Sequence, residues 1–574
     1  MKNPVYFCVL RQFAGLVPLL AWLLVWSGVP TRLEAAYRYP IGIPAAWIDP
    51  EVAQPARPAD WSAEVPGYYC VDIVNGTNSG RTWGTPSAPR QTIPPTLGPG
   101  TRCEVVGTYS PGGTWLEVKG EGTAGAWVAN TSGPAWLVGA DAEHRASLGG
   151  QLYLYGRYLC VEYLDNLAGK KKWQLSTPNI IYGNEAKYML IRNCEIAGVS
   201  DGGEVRLYIM SGQGDPALKA TNIVIYKNHI HDAGPVTPAD QDIDADAIMV
   251  SDYCNTIHIL DNELHDIAGS GVGCSAAPNG PSDTHHIYIG RNHIYNTWGV
   301  GIGIKTSDHV VISQNTVHDI KWTSWTEAKC IGFQYAIESI WVIFNHCYNG
   351  NQGIKGGSVS GPNPCTINVI GNVVHDINPV SGGIIYPGIT VWQGANRNII
   401  GNTVYNCAVG LGQPQADTNV VIENNIISGC SASHIYFETG SSLVKVRNNI
   451  LYQGGGAAVL DMNGRRYTVA SANALANMDG LIEADPLFVN LGTSPTTRNL
   501  ATQSASIARD AGLSAAHLSV DVYAMFLADF GRSISVDYVA GVRPSGGSWD
   551  IGAYNVSSLQ TGDVSKPTGL RVKP

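Results

Sequence analysis

Charge is scarce in this chain: Asp, Glu, Lys and Arg make up 14% of its 574 residues, with a formal net charge of −10. No long Lys/Arg run is present, which excludes the basic footprint that sequence-independent binding to nucleic acid requires and leaves a sugar polymer or a metal ion as the better-suited partner. Cysteine pairs with metal-ligand spacing are missing too. No CxxC occurs, so a structural zinc site of that type is excluded; the twelve cysteines are scattered singly. Eleven follow Cys8, and outside the cell disulfides are the expectation for them, with at least one thiol left over. A second long apolar run is also lacking. The one such run, Phe13 to Val29, follows Lys2 and Arg11, is interrupted by Pro18 and Gly28, and precedes the small residues Ala35 and Ala36. It predicts a secretory signal peptide over residues 1–36, and hence a secreted or cell-surface protein, extracellular or periplasmic, with no membrane span after removal.

What is abundant is glycine, with Asn, Thr, Val and Ile recurring where an average globular protein carries Leu, Glu and Lys. One phrase returns along the middle of the chain: alternating β-branched residues, one or two polar residues, an Asn, then a hydrophobe and often His-Asp or Tyr-Asn. Copies include NIVIYKNHIHD ending at Asp232, TIHILDNELHD at Asp266, HIYIGRNHIYN at Asn296, HVVISQNTVHD at Asp319, INVIGNVVHD at Asp376 and NIIGNTVYN at Asn406. With weaker copies on either side, the repeating Asn falls at 193, 228, 262, 292, 315, 345, 372, 402, 424 and 448, in steps of 22 (402 to 424) to 35 (193 to 228) residues.

Period-two alternation in segments this short predicts strands, and one strand set per 22 to 35 residues predicts the coils of a solenoid. Each coil then buries its Val and Ile against the coils above and below at the ~4.8 Å strand spacing. The expected fold is all-β, a single right-handed parallel β-helix from about Gly150 to Tyr554. Its parts are a linker over 37–65, an N-terminal cap and first strands over 66–149, the helix with its C-terminal closing segment over 150–555, and a polar tail over 556–574. Stacked asparagines suit a tight bend, where Asn tolerates αL and carboxamides can bond from coil to coil. The pairs at His231, His265, His318 and His375 share one position of different coils, so they are expected to form a column along the axis rather than converge on a metal. Cys407 and Cys430 fall on neighbouring coils, where a disulfide is geometrically allowed.

The opening GTPSAPRQTIP, the Asn-bearing coils and the closing DPLF and DIGAY resemble secreted right-handed β-helix proteins of the pectate-lyase-like superfamily, over roughly residues 66 to 555. That superfamily includes lyases, hydrolases, epimerases, tailspikes and adhesins, so the resemblance implies an architecture before an activity. The polygalacturonase elements Gly-His-Gly and Arg-Ile-Lys are absent, and so is Asp-Pro-His, the epimerase signature: Asp49-Pro50, Asp215-Pro216 and Asp485-Pro486 are followed by Glu51, Ala217 and Leu487. PADQDIDADAIMVSD and NGNQGIKGG are similar to the acidic stretch and the catalytic-lysine segment of family-nine pectate lyases, which points to Lys355. The next coil, SGVGCSA, lacks the further aspartates that family carries there.

The strand after each Asn aligns so that Met249, Gly273, Gly303, Gly332, Lys355 and Thr390 take one outward position. Two residues on, Ser251, Ser275, Lys305, Gln334, Gly357 and Trp392 take the next. This predicts a flat floor of small residues bearing two lysines and a tryptophan. Eliminative cleavage of a uronate polymer needs a base beside the proton next to the carboxylate and a cation for the developing charge. Lys305 or Lys355 supplies the base, and calcium held by Asp242, Asp244, Asp246 and Asp252 supplies the cation. Coil counting favours Lys305, about two coils or roughly 10 Å from Asp246, over Lys355 at about four coils or roughly 19 Å. Gln334, Trp392, Trp322 and Trp325 are candidates for contact with the sugars. The expectation is a calcium-assisted polysaccharide lyase for an acidic glycan. The alternative is a non-catalytic glycan-binding, adhesive or structural β-helix. A hydrolase ranks third, because Glu338 or Glu438 with a distant Asp makes no clear carboxylate pair.

Overall fold

A computed structural model describes residues 37–109, 115–175, 185–198, 206–210, 218–235, 245–275, 284–323, 328–335, 339–357, 365–378, 387–392, 395–413, 419–438, 444–462 and 464–555. The expected signal peptide and tail, together with Asp242, Asp244, Trp325 and Glu338, lie outside the described residues.

The chain folds as a right-handed parallel β-helix. Each coil contributes to three faces. Sheet 1 carries strands such as Ile248–Ser251, Val272–Ser275, Val300–Lys305, Lys329–Gln334, Gln352–Gly357 and Pro387–Val391, each paired in parallel with the next. Sheet 2 runs from Tyr68–Asp72 to Val444–Arg447 and beyond, and joins sheet 1 through the long strand Gln151–Glu162. Sheet 3 holds the short strands after each ladder Asn, such as His229–Ala233 and Glu263–Ile267. Parallel pairing begins at Tyr68, so the span 66–149 already supplies coils. Inward positions stack into columns, among them Ile223, Ile257, Ile287, Val310, Ile340 and Ile367, all fully buried. Burying each such side chain contributes about 1.5–3 kcal/mol.

The corner between sheets 2 and 3 carries an Asn ladder. Asn345 shows its bonding: Nδ2 donates to Ile312 O at 2.9 Å and to Asn372 Oδ1 at 3.0 Å, while Oδ1 accepts from Asn315 N at 3.0 Å and Asn315 Nδ2 at 2.9 Å. The same pattern links 228, 262, 292, 315, 345, 372, 402, 425 and 449. Three expected members are therefore corrected by one residue. Cys194, Asn425 and Asn449 hold the ladder positions, and Cys194 N donates to Asn228 Oδ1. Asn193, Asn424 and Asn448 instead occupy the preceding corner position at φ 51°, 58° and 51°, which Lys227, Asp261, Arg291, Gln314, Phe344, Gly371 and Gly401 fill in other coils. The left-handed bend and the carboxamide ladder are thus two adjacent columns, and the Asn-Asn pairs at 424–425 and 448–449 conceal the difference.

Side chains at the left-handed position point outward and hold the covering segments. Residues 39–57, in the span read as a linker, lie along sheet 2: Gln314 Oε1 accepts from Ile41 N at 2.9 Å, His258 bonds Pro44 O at 3.1 Å, Lys227 pairs with Glu51 at 2.7 Å and Arg57 bonds Glu104 through Nε at 2.7 Å. Gly290 permits this contact, since a Cβ there would lie 2.5 Å from Pro40. The helix Val522–Phe530, capped by Asp521 and by Gly531 at φ 65°, sets Phe526 against Trp341 on the same face. Asn424 and Asn448 bond Leu513 and Ala511 of the closing segment. That segment also covers the late coils of sheet 3, where Arg498 binds Asp376 at 2.5 and 2.7 Å. Early sheet 3 and the face of sheet 1 have no such cover among the described residues.

The disulfide allowed at Cys407 and Cys430 is not formed. Both are buried free thiols, and burial pushes Cys430 up to about 12; they pack as small apolar side chains.

Two predictions follow from these contacts. Asn345→Ala takes from Asn315 N its carboxamide acceptor and a bonding partner from Asn315 Nδ2, Ile312 O and Asn372 Oδ1; a buried group left unsatisfied costs about 1–3 kcal/mol, so its thermal midpoint should fall well below that of Asn193→Ala in parallel melts. Burial holds His258 and His434 down to about 4. Both depressed values make the folded state prefer the neutral ring, so stability is full above ~6.5 and declines as pH falls, by up to about 3 kcal/mol per histidine near pH 4. Denaturant titrations at pH 7.5 and 4.5 should show this loss, and His258→Gln should reduce it.

Candidate functional site

Backbone register on sheet 1 aligns Met249, Gly273, Gly303, Gly332, Lys355 and Thr390 side by side. Two residues on, Ser251, Ser275, Lys305, Gln334 and Gly357 share the next column, and Trp392 continues it with its N–H donated to Gly356 O at 3.0 Å. Between the columns, Val250, Cys274, Ile304, Phe333 and Val391 point inward and are buried, so the named columns face out. Lys305 is exposed, Gln334, Lys355 and Trp392 are half-buried, and Thr390 is buried.

The floor is less bare than its glycines suggest. A Cβ on Gly273 would meet Met249 Cε at 2.8 Å and Asp246 Oδ2 at 3.3 Å, and one on Gly332 would meet Lys329 Cδ at 2.9 Å. Long side chains lie over these positions, Met249 from the neighbouring coil and Lys329 from the same strand. Lys329, which the column reading passed over because it sits three residues before Gly332, is a further cation on this face.

Asp246 is buried and its Oδ1 accepts from Ser270 N at 2.5 Å. Because its carboxylate reaches Gly273, it lies one coil and two residues from the Lys305 position, roughly 8 Å by ladder spacing. Lys355 is three coils from Gly273, roughly 14 Å. Asp252 follows the opposite end of the strand Ile248–Ser251, so Asp246 and Asp252 stand apart on the face. Trp322 is 40% exposed, next to Lys321, whose ammonium lies 5.0 Å from the Trp298 ring.

Sheet 3 has its own chemistry. His231, His265, Tyr295, His318, Tyr348 and His375 form one column with near-parallel rings, interplanar angles running from 2° to 13°. Each of the four histidines bonds the next residue through Nδ1: Asp232 at 2.9 Å and Asp266, Asp319 and Asp376 at 2.6 Å. These residues take φ between 52° and 55°. The column arrangement expected from the repeats is present. A second column two residues earlier contributes His229, His293 and His346, whose Nε2 atoms lie 2.8, 2.9 and 2.7 Å from Nε2 of His265, His318 and His375.

At the first of these coils the columns meet a carboxylate. Glu195 Oε1 lies 3.4 Å from His231 Nε2 and 3.9 Å from His229 Nδ1. Bonding to His231 and the nearby imidazoles hold the Glu195 carboxyl below its ordinary range, against the opposing effect of burial. Burial works against a charged His231, but bonds to Glu195 and Asp232 outweigh it and raise its affinity for a proton; burial lowers that of His229. Beside this cluster, Lys170, Asp232, Asp266, Asn296 and Trp298 line a cavity of about 290 Å³. The sequence signal for the cluster is Glu195 at the repeat position that holds His229 one coil later. It is visible once the ladder residue is placed at Cys194 rather than Asn193.

The inward glycine at 356 and the outward one at 303 make different demands. Gly356→Ala would bring a Cβ 2.0 Å from Phe333 O, so this variant should lose stability or fail to fold, whereas Gly303→Ala, whose nearest contact is 3.6 Å, should melt within a few degrees of the parent.

Among the described residues no helix is long and apolar enough to cross a membrane. Residues 342–474 match the family model for a right handed beta helix region. A search among curated proteins finds no sequence match. Among solved structures the chain is similar to pectate lyase Pel9A, at 11% identity and TM-score 0.38, covering 64% of this chain and 88% of that one. It is also similar to a variant of the periplasmic alginate epimerase AlgG, at 11% identity and TM-score 0.35, covering 65% and 78%, and to the Dettilon tailspike protein, at 12% identity and TM-score 0.29, covering 66% and 64%. Register and family model agree on the fold: this chain is a right-handed parallel β-helix.

Proposed function

We propose that the chain is a secreted protein acting on polysaccharide, and that sheet 1 takes an acidic, uronate-containing glycan and cleaves it by calcium-assisted β-elimination. The observation that carries this reading is the outward column of Gly273, Gly303 and Gly332, flanked by exposed Lys305 and half-buried Lys355. A strip of small backbone positions flanked by cations matches an extended polyanion.

In the proposed reaction Lys305, as the neutral amine, removes the C5 proton next to the uronate carboxylate. The electron pair forms the C4–C5 double bond, the C4–O bond breaks, and the departing oxygen takes a proton from solvent water, while the ammonium formed on Lys305 returns its proton to solvent. Calcium would neutralise the carboxylate as charge develops, and Asp246 with Asp242 and Asp244 would hold it, leaving Asp252 a peripheral ligand at most. Lys305 suits the base because of its spacing from Asp246. Lys355, farther along the strip, would pair with another uronate. Gln334 would bond sugar hydroxyls, and Trp392, Trp322 and Trp325 would meet sugar rings. The exposure of Lys305 in the unliganded chain supports a second reading, a non-catalytic glycan-binding β-helix in which both lysines serve as counter-charges.

Incubating the protein with a panel of uronate polymers, with calcium and then chelator, separates these readings by the ultraviolet absorbance of unsaturated uronate. Lyase activity predicts a calcium-dependent rise that Lys305→Ala lowers by about 100-fold or more, while Lys355→Ala chiefly raises KM. No rise on any polymer, with glycan binding retained by the parent, would leave the binding reading in place of the enzyme.

A further inference from the structure

We infer that Glu195, His229 and His231 form a binding site for a divalent transition metal of zinc type, on sheet 3 and separate from the sheet 1 face. Their ligand atoms, a carboxylate oxygen and two imidazole nitrogens, all lie within 4.8 Å of one another. The three come from adjacent coils: Glu195 is in register with His229, and His231 stands two residues on, on the same face.

Hydrogen bonding fixes which nitrogens are available. His231 Nδ1 donates to Asp232 at 2.9 Å, so in the neutral ring Nε2 carries a lone pair, and that lone pair faces Glu195 Oε1 at 3.4 Å. Two acceptors opposed in this way are bridged either by a proton or by a metal ion. His265 Nδ1 likewise donates to Asp266 at 2.6 Å, leaving its Nε2 to accept from His229 Nε2–H at 2.8 Å. The lone pair of His229 then sits on Nδ1, on the side of Glu195 at 3.9 Å.

Both rings are therefore oriented by partners behind them, His231 by Asp232 and His229 by the His265–Asp266 pair, as second-layer carboxylates orient metal-bound imidazoles. Zinc takes nitrogen at ~2.0–2.1 Å and carboxylate oxygen at ~2.0–2.2 Å in a tetrahedral set, which places ligand atoms roughly 3.3 Å apart. The gaps of 3.4 and 3.9 Å close to that with small side-chain rotations. Three protein ligands leave the fourth position open, and the side chains of His229 and Glu195 are 40% and 30% exposed, so water or a ligand can reach it. The next coil offers the same residue types at His229, Glu263 and His265, but Glu263 accepts from Tyr295 OH at 3.1 Å, and among the described residues only the Glu195 set brings its ligand atoms together.

Calorimetric titration of the full chain, without a polyhistidine tag, with zinc sulfate at pH 7.5 tests the site. One zinc per chain is expected. Glu195→Gln and His231→Ala should each weaken binding at least 10-fold, and Asp232→Asn by about 10- to 100-fold, with melting curves confirming that each variant is folded. His346→Ala, on the covered part of the same face, should bind as the parent does. Cobalt(II) should give tetrahedral visible bands that His231→Ala removes. An absence of zinc binding, retention of parental affinity in folded Glu195→Gln and His231→Ala, or equal loss in His346→Ala would overturn the site, leaving protonated His231 as the cation facing Glu195.

Discussion

Everything in this chain depends on satisfying one buried polar corner per coil. A solenoid turns sharply where sheet 2 ends, and a turn there leaves backbone groups facing the core, where an unpaired donor or acceptor costs about 1–3 kcal/mol. The Asn ladder meets that demand because a carboxamide offers donors and acceptors together, and each bonds the coil before and the coil after. The cost is shared between neighbours, so coils form as a stack rather than singly. The residue before the ladder supplies the left-handed bend. Its side chain is then directed outward, which is why Gln314, Lys227, Asn424 and Asn448 fasten the segments that close the faces.

That division of labour explains what could be read from the residues and what could not. The outward columns of sheet 1 were legible to the residue, because alternation and the Gly-Ile pattern fix both phase and face. The His column was legible for the same reason. Asn193, Asn424 and Asn448 were misplaced because Asn serves both the bend and the ladder, and composition cannot separate two adjacent polar positions. Lateral contacts were not legible either. Met249 folds over Gly273 of the neighbouring coil and Lys329 over Gly332 of its own strand, and the outward alternation announces neither. The thiols mislead for a related reason: in a column of inward positions a cysteine is as good a small hydrophobe as a valine, so proximity on neighbouring coils is no sign of a bond.

Closing segments sort the faces. Residues 39–57 and the helix Val522–Phe530 cover sheet 2, and Arg498, Phe488 and Tyr538 cover late sheet 3. A buried ion pair such as Arg498–Asp376 adds little net stability over apolar packing but is expensive to break, so it specifies where the segment docks. The surfaces left without such cover among the described residues, sheet 1 and early sheet 3, are where residues of unlike kind are gathered: lysines with glycines on one, histidines with carboxylates on the other.

The order of the sheet 3 column carries the same lesson further. From His265 onward the coils alternate, His-Asp then Tyr-Asn, through Asn406. Alternation keeps carboxylates two coils apart and lets Asn296, Asn349 and Asn406 donate to Asp266, Asp319 and Asp376. It also places each imidazole against a phenol ring. The rule fails at one place. His231-Asp232 and His265-Asp266 fall on successive coils, setting two acidic residues a single strand spacing apart where the rest of the column avoids it. A regular stack gains nothing from that repulsion, so the exception points to a local compensating cation. Glu195, His229 and His231 gather at that coil, and Lys170 lines the cavity beside them that Asp232 and Asp266 share. Where a repeat departs from its own rule and one cation already stands nearby, the open ligand set is the feature that regular stacking leaves unexplained.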